Sequence, residues 1–289
     1  MIMKYILLAI PLLLAVVACS DESPTVSDPP AVSTIRVPAD EPTIQAAIDA
    51  STPSGTVILS DGVYTGPGNR DINFNGKSIK LRSENGPTTT IIDCAADSLN
   101  PHRAFSLISQ ENAAVIEGIT IRNGYFNEAA GIQLQNASPR IEDCVFENNI
   151  AGVSGGAIRC KGASPLILNC TFIGNEATVG GGIYLIGGST PVIENCLFAF
   201  NAEGGAVYPN EGTSIPTLLC CNLYGNEFEG GNGNYFERVA DQDSLRGNLS
   251  LDPNFCNLDI SAGLSASSPC LPANNSCGKI IGAIGQGCP

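Results

Sequence analysis

The chain has 289 residues, enough for one sizeable core or one elongated repeat domain; only 15% are charged, 32 are glycine and none is tryptophan. That balance favours short strands and tight turns over amphipathic helices. Twenty-eight acidic residues against 14 basic ones give a net charge of −14, so nucleic acid is excluded as an expected partner, and a polyanionic glycan needs a bridging cation or a local basic patch.

Residues 1–18 read as a signal peptide. Lys4 supplies the positive region, and Ile6 to Val17 form an apolar stretch too short to span a bilayer comfortably. It ends in Val16-Val17-Ala18-Cys19, which resembles the lipobox of bacterial lipoproteins and implies cleavage before Cys19 and lipidation on it. Residues 19–33, polar and Pro-rich, read as a disordered tether. These features predict a lipid-anchored protein of the cell envelope, at the outer membrane or cell surface. Its only membrane contact is the anchor, and its folded body lies where disulfides can form.

The folded body opens with a short helix pattern, Pro42 to Ala50, whose Ile44, Ala47 and Ile48 share one face. Strand-like runs follow at 56–60, 78–82, 90–93 and 104–108, separated by Asp61-Gly62, Asn75-Gly76 and Asn85-Gly86 turns. The helix is expected to plug the open end of what comes next, protecting strand edges.

Four segments then align on a Pro and a Cys: Pro139 with Cys144, Pro165 with Cys170, Pro191 with Cys196, and Pro216 with Cys221, at Cys spacings of 26, 26 and 25. Asn149, Asn175, Asn201 and Asn226 stand five residues after each Cys, and Phe146, Phe172, Phe198 and Leu223 two residues after. One period upstream, Gly118 and Asn123 fill the Cys and Asn slots. A coil of this size cannot bury its own apolar face, so coils stack in parallel about 4.8 Å apart and equivalent residues form columns. Ile141/Ile167/Ile193/Leu218 and Phe146/Phe172/Phe198/Leu223 are the expected interior columns, and the Asn residues an amide ladder at a left-handed turn. The chain is therefore all-β: a solenoid over residues 34–255, and a Cys-rich cap over 256–289.

The Gly-Gly…Pro-x-Ile-x-Asn-Cys-x-Phe-x-x-Asn rhythm, over Ile35 to about Phe228, resembles the right-handed parallel β-helix superfamily that includes pectate lyases. It is also similar to polymorphic outer-membrane-protein repeats of bacterial surfaces. The resemblance covers roughly two thirds of the chain and implies fold and surface exposure rather than activity.

Cys144, Cys170, Cys196 and Cys221 are expected to be buried thiols rather than disulfides, because in-register Cβ atoms sit farther apart than a relaxed disulfide prefers, and not metal ligands, because four in a straight line cannot surround an ion. Cys256, Cys270, Cys277 and Cys288, in the loop-rich tail, are expected to form two disulfides, with three connectivities open. Glu117 and Asp143, placed in one column continued by Asn169 and Asn195, are candidate ligands for a cation such as calcium; the preferred reading is that these residue types suit a sharp bend. The resemblance implies calcium-binding acids with an Arg base for a lyase, but no Arg-x-Pro-x-x-Arg, Asn-Thr-Asp, Gly-His-Gly or Arg-Ile-Lys motif occurs, and His102 has no sequence partner. No catalytic residue or cofactor is assigned. Gln133, Arg159, Leu185 and Asn210 form the expected outward ligand face. The function expected is binding of a glycan or envelope polymer without catalysis; the alternatives are a divergent polysaccharide lyase or hydrolase, and a purely structural or adhesion protein. An acid–Arg cluster in a groove would favour the enzyme, and an aromatic platform the binder.

Overall fold

The computed structural model describes residues 33–109, 111–234, 237–257 and 261–288. The expected signal peptide, Cys19 and the tether up to residue 32 lie outside the described residues.

Each coil turns where its sequence supplies a left-handed backbone. One corner column is Gly118, Asp143, Asn169, Asn195 and Cys220, with φ of +68°, +53°, +51°, +52° and +53°. A second is Asn123, Asn148, Gly174, Phe200 and Gly225, again all between +53° and +62°. Gly reaches this region without strain, and Asn and Asp tolerate it best among the other residues. Between these two corners runs a three-residue strand in every regular coil, for example Val145–Glu147, Thr171–Ile173 and Leu197–Ala199.

In the four sheets of the solenoid, successive strands lie one coil apart in the chain and pair in parallel. An eight-stranded sheet starts at Thr34–Val37 and ends at Thr217–Leu219, and a seven-stranded sheet runs from Gly62–Tyr64 to Asn222–Tyr224. A five-stranded sheet is built from Phe105–Leu107, Ile132–Gln135, Ile158–Lys161, Ile183–Ile186 and Val207–Pro209. A four-stranded strip comprises Tyr125–Glu128, Ile150–Ser154, Glu176–Val179 and Ala202–Glu203.

The interior columns are those the repeat predicts. Ile141, Ile167, Ile193 and Leu218 pair in register, as do Phe146, Phe172, Phe198 and Leu223, and all are fully buried. Phe146, Phe172 and Phe198 stack with centroids 4.8 and 4.4 Å apart and ring planes within 2°. Each buried ring contributes about 1.5–3 kcal/mol. Cys144, Cys170, Cys196 and Cys221 are buried free thiols, as expected, each donating to the backbone oxygen two residues earlier at 3.1–3.4 Å. Burial pushes the Cys144, Cys170 and Cys196 thiols well up from their ordinary value, so they stay protonated.

The Asn ladder is an interior one. Asn149, Asn175 and Asn201 each donate a side-chain N–H to the next Asn Oδ1 at 2.9, 3.0 and 2.7 Å, and a second to a backbone oxygen of the preceding coil at 2.9–3.0 Å. The left-handed residue is the one before each Asn149-type position, which corrects the expected turn placement. At the first regular coil the register also differs by one. Ile116 pairs with Ile141 and Ile121 with Phe146, steps of 25 residues, so Gly118 lies opposite Asp143 and Gly124 takes the Asn149 slot.

Both ends are closed. The N-terminal helix spans Ile44–Ala50, with Thr43 Oγ1 accepting the Ala46 N–H at 3.2 Å and Ile44, Ala47 and Ile48 buried as expected. Lys77 Nζ caps its other end, reaching the oxygens of Ile48, Asp49 and Ser51 at 2.8, 2.8 and 3.0 Å. At the far end Val239, in the segment after the last coil, joins the main core, and the tail beyond it forms a second core with Leu197 and Ala199 on the outward side of the seven-stranded sheet, adding Leu264, Cys270, Leu271 and Ile281. Two disulfides tie this tail down, but their membership differs from expectation: Cys220 pairs with Cys277 and Cys256 with Cys288, leaving Cys270 a buried thiol. Cys220 sits at a left-handed corner facing the tail, whereas Cys221 next to it faces inward; Cys270 instead packs in the second core and accepts an N–H from Asn222 at 3.2 Å.

Candidate ligand-binding face

Strand alternation sends every second residue of the five-stranded sheet outward. Inward go Ile132, Ile158, Ile183 and Val207, and also Leu134, Cys160 and Leu185. Outward, in one register, stand Ser106, Gln133, Arg159, Tyr184 and Tyr208. Gln133 and Arg159 are therefore where the sequence places them. Leu185 is corrected to the core, and Asn210 to an exposed position beyond the last strand. The cause is uneven coil length. The step from Arg159 to Tyr184 is 25 residues because one residue bulged between Ala151 and Ser154 is absent from the next coil, and the step from Tyr184 to Tyr208 is 24 because the segment from Glu203 to Val207 is two residues shorter than its equivalent from Ala177 to Ile183.

The column is continuous with side chains from neighbouring segments. The Arg103 guanidinium lies 3.8 Å from the centroid of Phe126 and hydrogen-bonds to Gln133 Oε1. Arg159 lies 5.8 Å from the centroid of Tyr184, Tyr184 stacks on Tyr208 at 6.0 Å, and Tyr208 leans on Phe228 at 5.6 Å. The result is a strip along all five rungs of the sheet, cationic at one end and aromatic at the other. Arg103, Arg159 and Tyr184 are recessed, while Phe126, Gln133, Tyr208 and Phe228 are half-exposed.

Charge at the cationic end is unevenly matched. Burial pushes Arg103 down to about 10, against the pull of Asp71 and Glu128 and with the repulsion of Arg159, so it remains protonated at neutral pH. Glu128 Oε1 is 3.4 Å from an Arg159 Nη, and the Arg159 Nε is buried without a hydrogen-bond partner. Burial is also the main cause that raises Tyr184 above the usual phenol value, so its hydroxyl stays neutral. Beside this cluster His102 does have a partner: its Nδ1 lies 2.6 Å from Asp71 Oδ2, and Asp71 Oδ1 accepts the Arg103 backbone N–H at 3.2 Å. Asp71 holds this pose at a left-handed φ of +54°.

The expected acidic column is not one column. Glu117 pairs in register with Glu142 and forms an ion pair with Lys80, whereas Asp143, one position on, accepts from the Asn169 amide at 3.1 Å. The one-residue register difference at Gly118 separates the two carboxylates. Among the described residues no three His, Cys, Asp or Glu side chains are grouped to hold a metal ion. Sequence reasoning missed Phe126, Glu128, Tyr184 and Tyr208. Tyr184 and Tyr208 were findable by aligning Ile158, Ile183 and Val207 as strand starts instead of counting a fixed period from the Cys residues.

Residues 71–240 match the model of the family described as right handed beta helix region. Among solved structures, the chain is similar to pectate lyase Pel9A, at 14% identity and a TM-score of 0.43, over 71% of this chain and 68% of that one. It is also similar to a deglycosylated form of the pectin methylesterase from Aspergillus niger, at 14% identity and a TM-score of 0.35, over 78% of this chain and 92% of that one. No curated protein sequence matches it. With more than half its length matched to that model and its coils wound as stacked parallel strands, the chain belongs to the right-handed β-helix family.

Proposed function

We propose that this protein binds an extended glycan or envelope polymer along the outer face of its five-stranded sheet. The observation that carries the reading is the run Arg103–Gln133–Arg159–Tyr184–Tyr208, which spans all five rungs of the sheet and continues to Phe228. Aromatic rings offer flat apolar faces for sugar rings, and Gln and Arg supply hydrogen bonds at their edges. A rigid rung spacing presents these groups at regular intervals, which suits a linear polymer more than a compact ligand. Lipidation at Cys19 belongs to the same reading and holds this face outside the cytoplasm. Replacing Cys19 with Ala should release soluble protein; equal membrane retention of both forms would remove the anchor from the proposal.

The binding test is affinity electrophoresis against neutral and acidic polysaccharides. Retardation that drops at least fivefold in Tyr208→Ala, with its thermal melt unchanged, supports the reading. Equal retardation of both proteins, or none by any polymer, overturns it.

A second reading, a divergent polysaccharide-cleaving enzyme, is favoured by the Asp71–His102 contact at 2.6 Å beside Arg103, whose backbone N–H donates to Asp71. Such a carboxylate orients an imidazole as a proton acceptor. Assays for reducing ends and unsaturated products distinguish the two, with product formation that vanishes in His102→Ala replacing the binding-only proposal.

A further inference from the structure

Within the glycan-binding reading, on which this inference rests, we infer that Arg159 and Arg103 form a carboxylate subsite now partly occupied by the protein's own Glu128. The chain carries 28 acidic and only 14 basic residues, so two recessed arginines on one face are a local exception to its charge. The Arg159 side chain retains only 8% of its exposure, yet its Nε finds no acceptor. A buried guanidinium donor left unmatched costs its full desolvation penalty, which a matching acceptor would offset. Its one carboxylate neighbour, Glu128, touches a single Nη at 3.4 Å and keeps 43% of its side-chain exposure. That contact is longer than the 2.7–2.9 Å usual for a charge-assisted bond and engages one edge atom of a fork built for two.

Glu128 is therefore a loose stand-in. An incoming carboxylate that displaces it gains the Nε–Nη edge of Arg159 and the field of Arg103, whose own hydrogen bond goes to Gln133. The aromatic end then receives the next sugar face through Tyr208 and Phe228. The ligand class is a uronate-bearing polymer recognised directly by guanidinium. The arginines themselves supply the countercharge, so recognition requires no bridging cation.

The experiment uses the full chain and polymers containing galacturonate or glucuronate, each paired with its carboxyl-reduced neutral form, with and without EDTA. The wild type should bind the uronate form at least tenfold more tightly than its neutral partner, and EDTA should leave that ratio unchanged. Glu128→Gln removes the competing charge at a half-exposed position and should tighten uronate binding at least threefold without altering neutral binding. Arg159→Gln should abolish the preference; since Arg159 is buried, Arg159→Lys, which keeps charge but loses the fork, supplies a milder check, and Glu128→Gln stands independently of both. Equal binding of paired polymers, a preference lost in EDTA, or weaker uronate binding in Glu128→Gln would each overturn the subsite. Retention of neutral forms in those cases leaves the glycan face standing, whereas absence of all retention removes both.

Discussion

The inward columns of the seven-stranded sheet and the outward column of the five-stranded sheet are built on the same stacked coils and obey opposite rules. Inside, position 146 and its equivalents repeat one residue type, Phe, Phe, Phe and Leu, because every rung meets the same packing problem. Outside, the equivalent column reads Ser106, Gln133, Arg159, Tyr184 and Tyr208, with no two neighbouring rungs alike until the tyrosines. A solenoid repeats what stacking requires and varies what it presents. Stability is thus expected to reside in the inner columns and recognition in the outer one, and substitutions can separate the two.

The largest effect should come from the middle of the ring stack. Phe172 contacts rings above and below at 4.8 and 4.4 Å and is fully buried, so Phe172→Ala should cost about 3–5 kcal/mol in chemical denaturation. A loss below about 1 kcal/mol would mean the interior relaxes freely and the inner column is not the stabilising element.

The amide ladder should follow. Asn175 donates to Asn201 and Phe146, and accepts from both the backbone and side chain of Asn149. Asn175→Ala strands the backbone and side-chain donors of Asn149 in a buried setting, while Asn201 Oδ1 keeps the backbone N–H of residue 175, for an expected loss of about 1–3 kcal/mol. Restoration by Asn149→Ala in the same chain, measured as a double-mutant cycle, would show that the ladder acts as a unit. Tyr208→Ala on the outer column should cost about 1 kcal/mol or less while weakening polymer retention. Equal destabilisation by Tyr208→Ala and Phe172→Ala would erase the distinction between the two columns.

How much of this was legible follows the same division. The Cys, Phe and Asn columns were visible because the seven- and eight-stranded sheets hold a near-constant step, and identical burial selects identical residues. The outer face was blurred because its register depends on loop length, and loops change where packing does not restrain them. One bulged residue near Val153 was enough to send Leu185 to the wrong side and hide Tyr184. One residue fewer before Cys144 likewise merged Glu117 with Asp143. Cys220 was hidden by its neighbour: in a Cys-Cys pair only the corner geometry decides which sulfur faces the core. The Asp71–His102 contact joins residues from successive coils in the irregular first half, where no repeat marks equivalence.

The smallest expected effect concerns acid. On the outward side of the seven-stranded sheet, Asp93 accepts from Arg122 Nε at 2.9 Å and from the Asn123 amide at 3.0 and 3.1 Å. Partial burial pushes its carboxyl up, but the Asn123 and Arg122 bonds and the Ala95 backbone N–H outweigh it and hold the group below the usual range. A carboxyl whose folded value is depressed adds stability that is fully present above its unfolded value, about 3.9, and is lost as pH falls through the folded one. Below about pH 4, Asp93→Asn should therefore lose less stability than the wild type as acid is added. Arg122 is a third exposed, so solvent screening limits the difference at neutral pH to about 0.2–1 kcal/mol. Denaturation midpoints at pH 7 and pH 3 provide the check. Parallel pH profiles for the two proteins would show that this outward ion pair contributes nothing to folding, which would sharpen the contrast with the inner columns. A gap as large as that expected for Phe172→Ala would instead place a stability determinant on the outer surface and break the comparison.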